Sequence, residues 1–390
     1  MIQSLLKKIK GDRPIWMIVI ILSVFSLLAV YSSTGSLAYR FRQGNAEYYL
    51  FKHLIIIIFG LGLMFVAHKI KYTHYSRISQ LALFAAIPLL LLTLLRGTTI
   101  NEASRWLTLP IINISFQSSD FAKLAIIMYL ARLLTKKQET IKDFQSAFLP
   151  AIVPVIIVCG LIMPANLSTA AVLFVTCMVL MFVGRVSMKY LMAMAGIGLA
   201  GAALLVVVVL NMPDTGRVNT WKNRIEAYTN KDASDSYQTD QSKIAIATGG
   251  IMGKLPGNST QRNFLPHAYS DFIFAIIVEE YGLIGGFIIV LLYMMLLYRG
   301  VRIAHKSPGT FGALLAAGLS FSLVFQAMIN MAVAVNILPV TGQPLPLVSM
   351  GGTSLWFTSL AIGIILSVSR RIEEVEEETR INEQVHATAS

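Results

Sequence analysis

Long apolar runs, broken by short polar connections, dominate this chain. Ten of them fall at about 14–33, 50–67, 78–95, 119–134, 147–163, 168–184, 190–210, 272–298, 309–333 and 351–369. About 20 helical residues cross the hydrocarbon core of a bilayer. The pattern therefore predicts an all-α, polytopic integral membrane protein of about ten transmembrane helices. A membrane β-barrel alternates its strands and builds no apolar runs of this length. The fourth run is the most polar, because it contains Asp120 and Lys123.

Lys and Arg alternate in density between successive connections. Lys7, Lys8, Lys10 and Arg13 precede the first run, and Lys69, Lys71 and Arg77 follow the second. Arg132, Lys136, Lys137, Lys142, Arg185, Lys189, Arg299, Arg302 and Lys306 continue on the same side. The opposite connections are poorer, with no basic residue in 164–167 or 338–350. Basic loops stay in the cytoplasm, so both termini are predicted there. The expected organisation is one membrane domain. A cytoplasmic segment 1–13 precedes helices one to seven (14–210), and a long outer loop (211–271) leads to helices eight to ten (272–369) and an acidic tail (370–390). The first run reads as a retained anchor, and the tail, with Glu373, Glu374, Glu376, Glu377 and Glu378, as a solvated or frayed helix end.

Composition sharpens this picture. Hydrophobic residues make up 55% of the 390 and charged residues only 13%, with a mean hydropathy of +0.67. Soluble domains carry about 25% charge, so a soluble enzyme, a disordered chain and a disulfide scaffold are excluded. The net charge of +12 follows from the basic loops and does not call for nucleic acid. Cys159 and Cys177 lie inside apolar runs with no CxxC spacing and read as packing residues.

The outer connection 211–271 far exceeds the usual helix–helix link, and loops of that length are functional or disordered. Gln241–Thr248 is mildly amphipathic and runs into Gly249, Gly250, Gly253, Pro256 and Gly257, which predicts a short re-entrant or interfacial helix ending in a glycine turn. Asp271 follows at the mouth of the eighth run, with Glu279 and Glu280 two turns deeper. Two roles fit Asp271. Ser270-Asp271 suits a helix N-cap, and an acid at an outward mouth suits proton transfer. A carboxylate inside a membrane helix needs a partner or a cavity. Glu279 is therefore expected to pair with an intramembrane base such as Lys123, while Asp120 and Lys123, three residues apart, can neutralise each other. Asn330 and Asn336 are expected in interhelical hydrogen bonds. The uncharged segment 337–354, rich in Pro and Gly, reads as an outer loop dipping back before the last helix.

An outward cavity lined by acids and bases, roofed by a long loop, suits an amphiphile with an anionic head, and a lipid-linked diphosphate is such a molecule. No Walker loop, HExxH or CxxC motif and no inverted repeat of broken helices is present, which argues against ATP hydrolysis, zinc hydrolysis and ion-coupled transport.

A resemblance then becomes clear. Arg105-Trp106-Leu107, Phe116 to Asp120 with Lys123, Gly249-Gly250 with Gly253, Leu265-Pro266-His267, Asp271 to Ala275, Glu279-Glu280 with Gly282, and Pro339 to Gly352 occur in the order found in the SEDS family (shape, elongation, division and sporulation). The likeness covers nearly the whole chain. Pro256 to Arg262 and Met331 to Gly352 look more like the division branch than the elongation branch. The resemblance implies a peptidoglycan glycosyltransferase that polymerises lipid II into β-1,4 glycan and releases undecaprenyl diphosphate. It implies the bacterial cytoplasmic membrane at the division septum, with a class B penicillin-binding protein, other divisome proteins and membrane lipid as partners. By that likeness Asp271 is the catalytic general base. Arg105, Asp120, Lys123, Lys243, Arg262, His267, Glu279 and Ser349 are candidates for binding substrate or ordering the loop. No metal cage is visible, so Mg²⁺ or Mn²⁺ would be shared with the substrate diphosphate, and no organic cofactor is expected. Pro164-Ala165-Asn166 lacks the carboxylate that many relatives carry there, so no acid role transfers to that loop. A lipid II flippase, an elongation-type polymerase and a divisome scaffold remain alternatives; a flippase does not obviously need an acid at the outer mouth, and a scaffold leaves the charged cavity unexplained.

Overall fold

The computed structural model describes residues 10–389 apart from 36, 38, 40–44, 97, 101–102, 110–113, 213–220 and 223–236. All ten apolar runs fold as helices. They are α1 (Arg13–Ser33), α2 (Ala46–Lys69), α3 (Tyr72–Arg96), α4 (Ser118–Lys136), α5 (Leu149–Ile162), α6 (Leu167–Val183) and α7 (Met188–Asn211), followed after the long loop by α9 (Ile273–Lys306), α10 (Thr310–Ala334) and α11 (Thr353–Ala389). The expected loop helix is present as α8 (Tyr237–Gly249).

Among the described residues, eight helices are long and apolar enough to cross a bilayer. The two others are α6, with 17 residues, and α4, which carries Asp120, Lys123, Arg132 and Lys136. Local sequence explains the helix starts. Asp12, Asn45 and Asn166 accept backbone N–H groups of Ile15 (3.2 Å), Tyr48 (3.0 Å) and Thr169 (3.2 Å), satisfying donors that a helix leaves orphaned. The connection 97–117 departs from expectation. It contains a three-stranded antiparallel sheet of β1 (Thr98–Ile100), β2 (Ala103–Leu109) and β3 (Ile114–Gln117), in which Trp106 faces Gln117 and Leu109 faces Ile114. Thr, Ile, Trp and Phe favour a pleated ladder, but stretches this short leave little periodic signal.

The centre of the bundle is α10 and α11, which are buried over 61% and 72% of their apolar windows, against 6% for α7. In a bilayer apolar burial does not distinguish neighbour from lipid, so close packing of small residues holds helices together. The α2–α11 contact shows this. A Cβ on Gly363 would lie 2.4 Å from the Met64 carbonyl oxygen. The segment between α10 and α11 does dip back, for Leu345, Val348 and Ser349 are all buried. At the opposite end the tail is an ordered continuation of α11. Glu373 accepts the Gly11 N–H at 2.7 Å, Lys10 pairs with Glu377 at 3.0 Å, and Lys306 with Glu376 at 3.2 Å.

Candidate active site

Asp271 stands at the mouth of α9, partly exposed. The helix begins one residue later than expected, with Phe272 as its N-cap and no side-chain cap bond from that residue. The turn before it is made by His267, whose backbone is left-handed at φ 56°. Its carbonyl accepts the N–H groups of Ser270 (3.0 Å) and Asp271 (3.1 Å). Asp271 therefore ends a tight turn that presents its side chain at the rim. Burial raises the Tyr269 phenol pKa, and the neighbouring Asp271 carboxylate and Tyr49 raise it further.

The 343–350 loop lies against this turn. Ser349 Oγ donates to the Ser270 carbonyl and accepts the Leu345 N–H at 2.8 Å. The Met350 N–H donates to the Tyr269 carbonyl at 2.9 Å. Ser349 is thus placed as a brace of the Asp271 turn, with its hydroxyl engaged in both directions.

A second cluster lies below the glycine turn. Helix α9 breaks at Gly282, where φ is 70° and ψ −173°, a conformation essentially restricted to glycine. The freed N–H of Leu283 donates to the Gly250 carbonyl at 2.9 Å. A Cβ on Gly282 would lie 2.1 Å from the Ile251 carbonyl oxygen, and one on Gly253 would lie 2.2 Å from that of Glu280. The two backbones therefore interlock where neither carries a side chain, and broken helix in a membrane persists only when protein re-satisfies it in this way.

This interlock corrects one expectation. Glu279 does not pair with Lys123. It is fully buried and pairs with Lys254 at 2.7 Å. Its two oxygens also accept from Ser259 Oγ, the Thr260 N–H (3.1 Å) and the Gln261 N–H (3.2 Å). The glycine turn carries the loop back over α9, so a loop cation reaches a carboxylate that a cation on α4 does not. Glu280 beside it accepts from Ser32 Oγ and the Ser259 N–H (3.3 Å). Arg262 donates to the Ser32 carbonyl at 3.3 Å and so ties the outer loop to α1.

The third group is the expected Asp120–Lys123 pair, at 2.6 Å on α4. It faces an open cleft between α4, α10 and α11, with Gln326, Phe357 and Thr358 on its walls. Asp120 Oδ2 is buried without a hydrogen-bond partner. Lys123 Nζ also donates to Gln326 Oε1 at 3.1 Å. Lys243 is exposed on α8 and pairs with Asp240 at 3.2 Å. Of Arg105, only its backbone position on β2 lies within the described residues.

Gln326, Lys254, Ser259 and Gln343 were not singled out by sequence reasoning. The available signal was Gln326 and Asn330, two carboxamides four residues apart on one face of an otherwise apolar helix. Asn330, expected to bond to a neighbouring helix, instead donates to the turn and loop carbonyls of Asp271 and Gln343, each at 2.8 Å.

Fold and site define a multi-pass membrane protein with a long loop folded back onto α9, an acid at the mouth of that helix and a charged cleft within the bundle. The chain belongs to the FtsW/RodA/SpoVE family of cell cycle proteins, whose family model matches residues 12–374. This bears out the SEDS resemblance. The chain is 34% identical to "Probable peptidoglycan glycosyltransferase FtsW" of Geobacter sulfurreducens over 369 residues, covering 93% of this chain and 96% of that one. It is 34% identical to "Stage V sporulation protein E" of Bacillus subtilis over 374 residues, covering 93% and 98%. Its fold matches Thermus thermophilus Rod shape determining protein RodA with a TM-score of 0.68 at 24% identity, over 93% of this chain and 98% of that one. A chain from "Structural coordination of polymerization and crosslinking by a peptidoglycan synthase complex" matches with a TM-score of 0.69, also at 24% identity, over 93% and 98%.

Proposed function

We propose that this protein is a peptidoglycan glycosyltransferase that polymerises lipid II in septal wall synthesis. Family membership and the FtsW relatives support the reaction class. The observation that carries the site is Asp271, braced at the outer rim of a membrane helix beside Tyr269. In this reading its carboxylate accepts the proton of the acceptor sugar 4-hydroxyl. The oxygen attacks the anomeric carbon of the donor, the bond to the diphosphate breaks, and undecaprenyl diphosphate leaves. Basic side chains stabilise the charge that develops on the diphosphate, and Lys123, in the cleft, is the candidate for that task.

Mg²⁺ or Mn²⁺ enters this proposal as a companion of the diphosphate, whose charge it would neutralise. A class B penicillin-binding protein is the proposed partner, supported by the fold match to a synthase complex that coordinates polymerisation and crosslinking. The division septum is the proposed location, supported by the FtsW relatives.

The test is lipid II polymerisation by the full chain with a class B penicillin-binding protein. Wild type is expected to make glycan, and folded Asp271→Asn and Asp271→Ala none. Full activity in both variants would remove Asp271 from the chemistry. No product from wild type, with lipid II crossing a liposome bilayer, would identify a flippase instead.

A further inference from the structure

Three consecutive carbonyls lead into α9, and each accepts from a donor outside its own segment. Tyr269 accepts the Met350 N–H at 2.9 Å, Ser270 accepts Ser349 Oγ, and Asp271 accepts Asn330 Nδ2 at 2.8 Å. The first two donors sit on the 343–350 loop and the third on α10. Asn330 is 1% exposed. Its Nδ2 carries two hydrogens and both are used, the second on the Gln343 carbonyl at 2.8 Å. The carboxamide is thereby fixed in one orientation, and it joins the turn that bears Asp271 to the loop that braces it.

The arrangement has a cost. Asn330 Oδ1 is buried with no hydrogen-bond partner. A leucine of similar shape would avoid that desolvation penalty, so what the asparagine contributes is its pair of donors. One turn earlier on α10, Gln326 repeats the pattern. It accepts from Lys123 Nζ at 3.1 Å and donates to the Pro344 carbonyl at 2.9 Å. The two carboxamides thus tie one loop to the Asp120–Lys123 pair at one end and to Asp271 at the other.

We propose that Asn330 is the positioning residue of Asp271, setting the height and direction of its carboxylate by holding that residue's own carbonyl. The inference rests on the reading of Asp271 as general base. Misplacement of a reacting group by about 1 Å lowers turnover on the order of a hundredfold, whereas binding of the lipid II tail and diphosphate does not pass through the Asp271 carbonyl. Loss of the Asn330 donors should therefore lower kcat and leave KM in place.

The experiment measures kcat, KM for lipid II and thermal stability for the full chain with a class B penicillin-binding protein, comparing wild type, Asn330→Leu, Ser349→Ala, Ser349→Thr and Asp271→Asn. A fall in kcat of about ten- to a hundredfold in folded Asn330→Leu, with KM within about twofold, is the expected result. Wild-type kcat in that variant, or a raised KM with unchanged kcat, overturns the inference. If Asp271→Asn is then inactive, the base reading survives alone. An active Asp271→Asn overturns both. Should Asn330→Leu fail to fold, the adjacent brace decides. A kcat loss in Ser349→Ala that Ser349→Thr restores supports positioning of the turn, and wild-type kcat in Ser349→Ala overturns it.

Discussion

Lys254 and Glu279 form an ion pair at 2.7 Å in which the carboxylate is fully buried and the ammonium about one-third exposed. The pair seals the outer loop onto α9 just above the helix break. Removing one member of a buried pair leaves the other uncompensated. Because Glu279 keeps its bonds from Ser259, Thr260 and Gln261, Lys254→Met should cost about 1–3 kcal/mol. Glu279→Ala strands a charge and several donors together, and should cost about 3–5 kcal/mol. Unfolding of the purified variants in one detergent checks the order; equal losses would mean that Lys254 alone carries the loop.

The break at Gly282 makes a sharper prediction. A β-carbon there meets the Ile251 carbonyl at 2.1 Å, on a backbone with φ 70°. Gly282→Ala should prevent the loop from docking, with a lowered melting temperature and new protease cleavage within residues 250–262. Gly62, whose Cβ would meet nothing within 4 Å, is the control, and Gly62→Ala should leave both readings unchanged.

The Asp120–Lys123 pair should behave as a coupled unit. Lys123 is 13% exposed and Asp120 4%. Lys123→Met alone leaves a buried carboxylate with neither oxygen paired to a cation, at a cost of about 3–5 kcal/mol. Adding Asp120→Asn should recover much of that stability. A double-mutant cycle measures the recovery, and purely additive losses would show that the two side chains do not stabilise each other.

At the far end of the bundle, Asp12 caps α1 and also receives the Arg299 guanidinium of α9. Asp12→Ala removes both interactions and should destabilise by about 3 kcal/mol. The Lys10–Glu377 pair lies half or more exposed, and Glu377→Gln should shift the melting temperature little. Its pH dependence has a definite sign. The Glu377 carboxylate raises the Lys10 pKa, so this contribution is complete below the ordinary lysine pKa of about 10.4 and fades as pH rises through the folded value. A loss of stability between pH 6 and 8 that Glu377→Gln abolishes would contradict that assignment.

Hydropathy determined the ten helical runs, and glycine and proline marked the turn after the outer helix and the dipping loop before α11, because bilayer thickness and backbone satisfaction act on each segment separately. It also set Asp271 at a helix mouth. Pairings between segments were a different matter. Glu279 meets Lys254 and not Lys123, because the break at Gly282 lets the loop fold back over α9. Asn330 meets the Asp271 carbonyl because α10 and the 343–350 loop reach the rim at one depth. The sheet at 98–117 likewise formed from strands too short to announce themselves. Apolar runs record only the solvent a segment requires; which polar atoms meet inside depends on the rotation, depth and breaks of helices packed against one another, and those exist only once the bundle has closed.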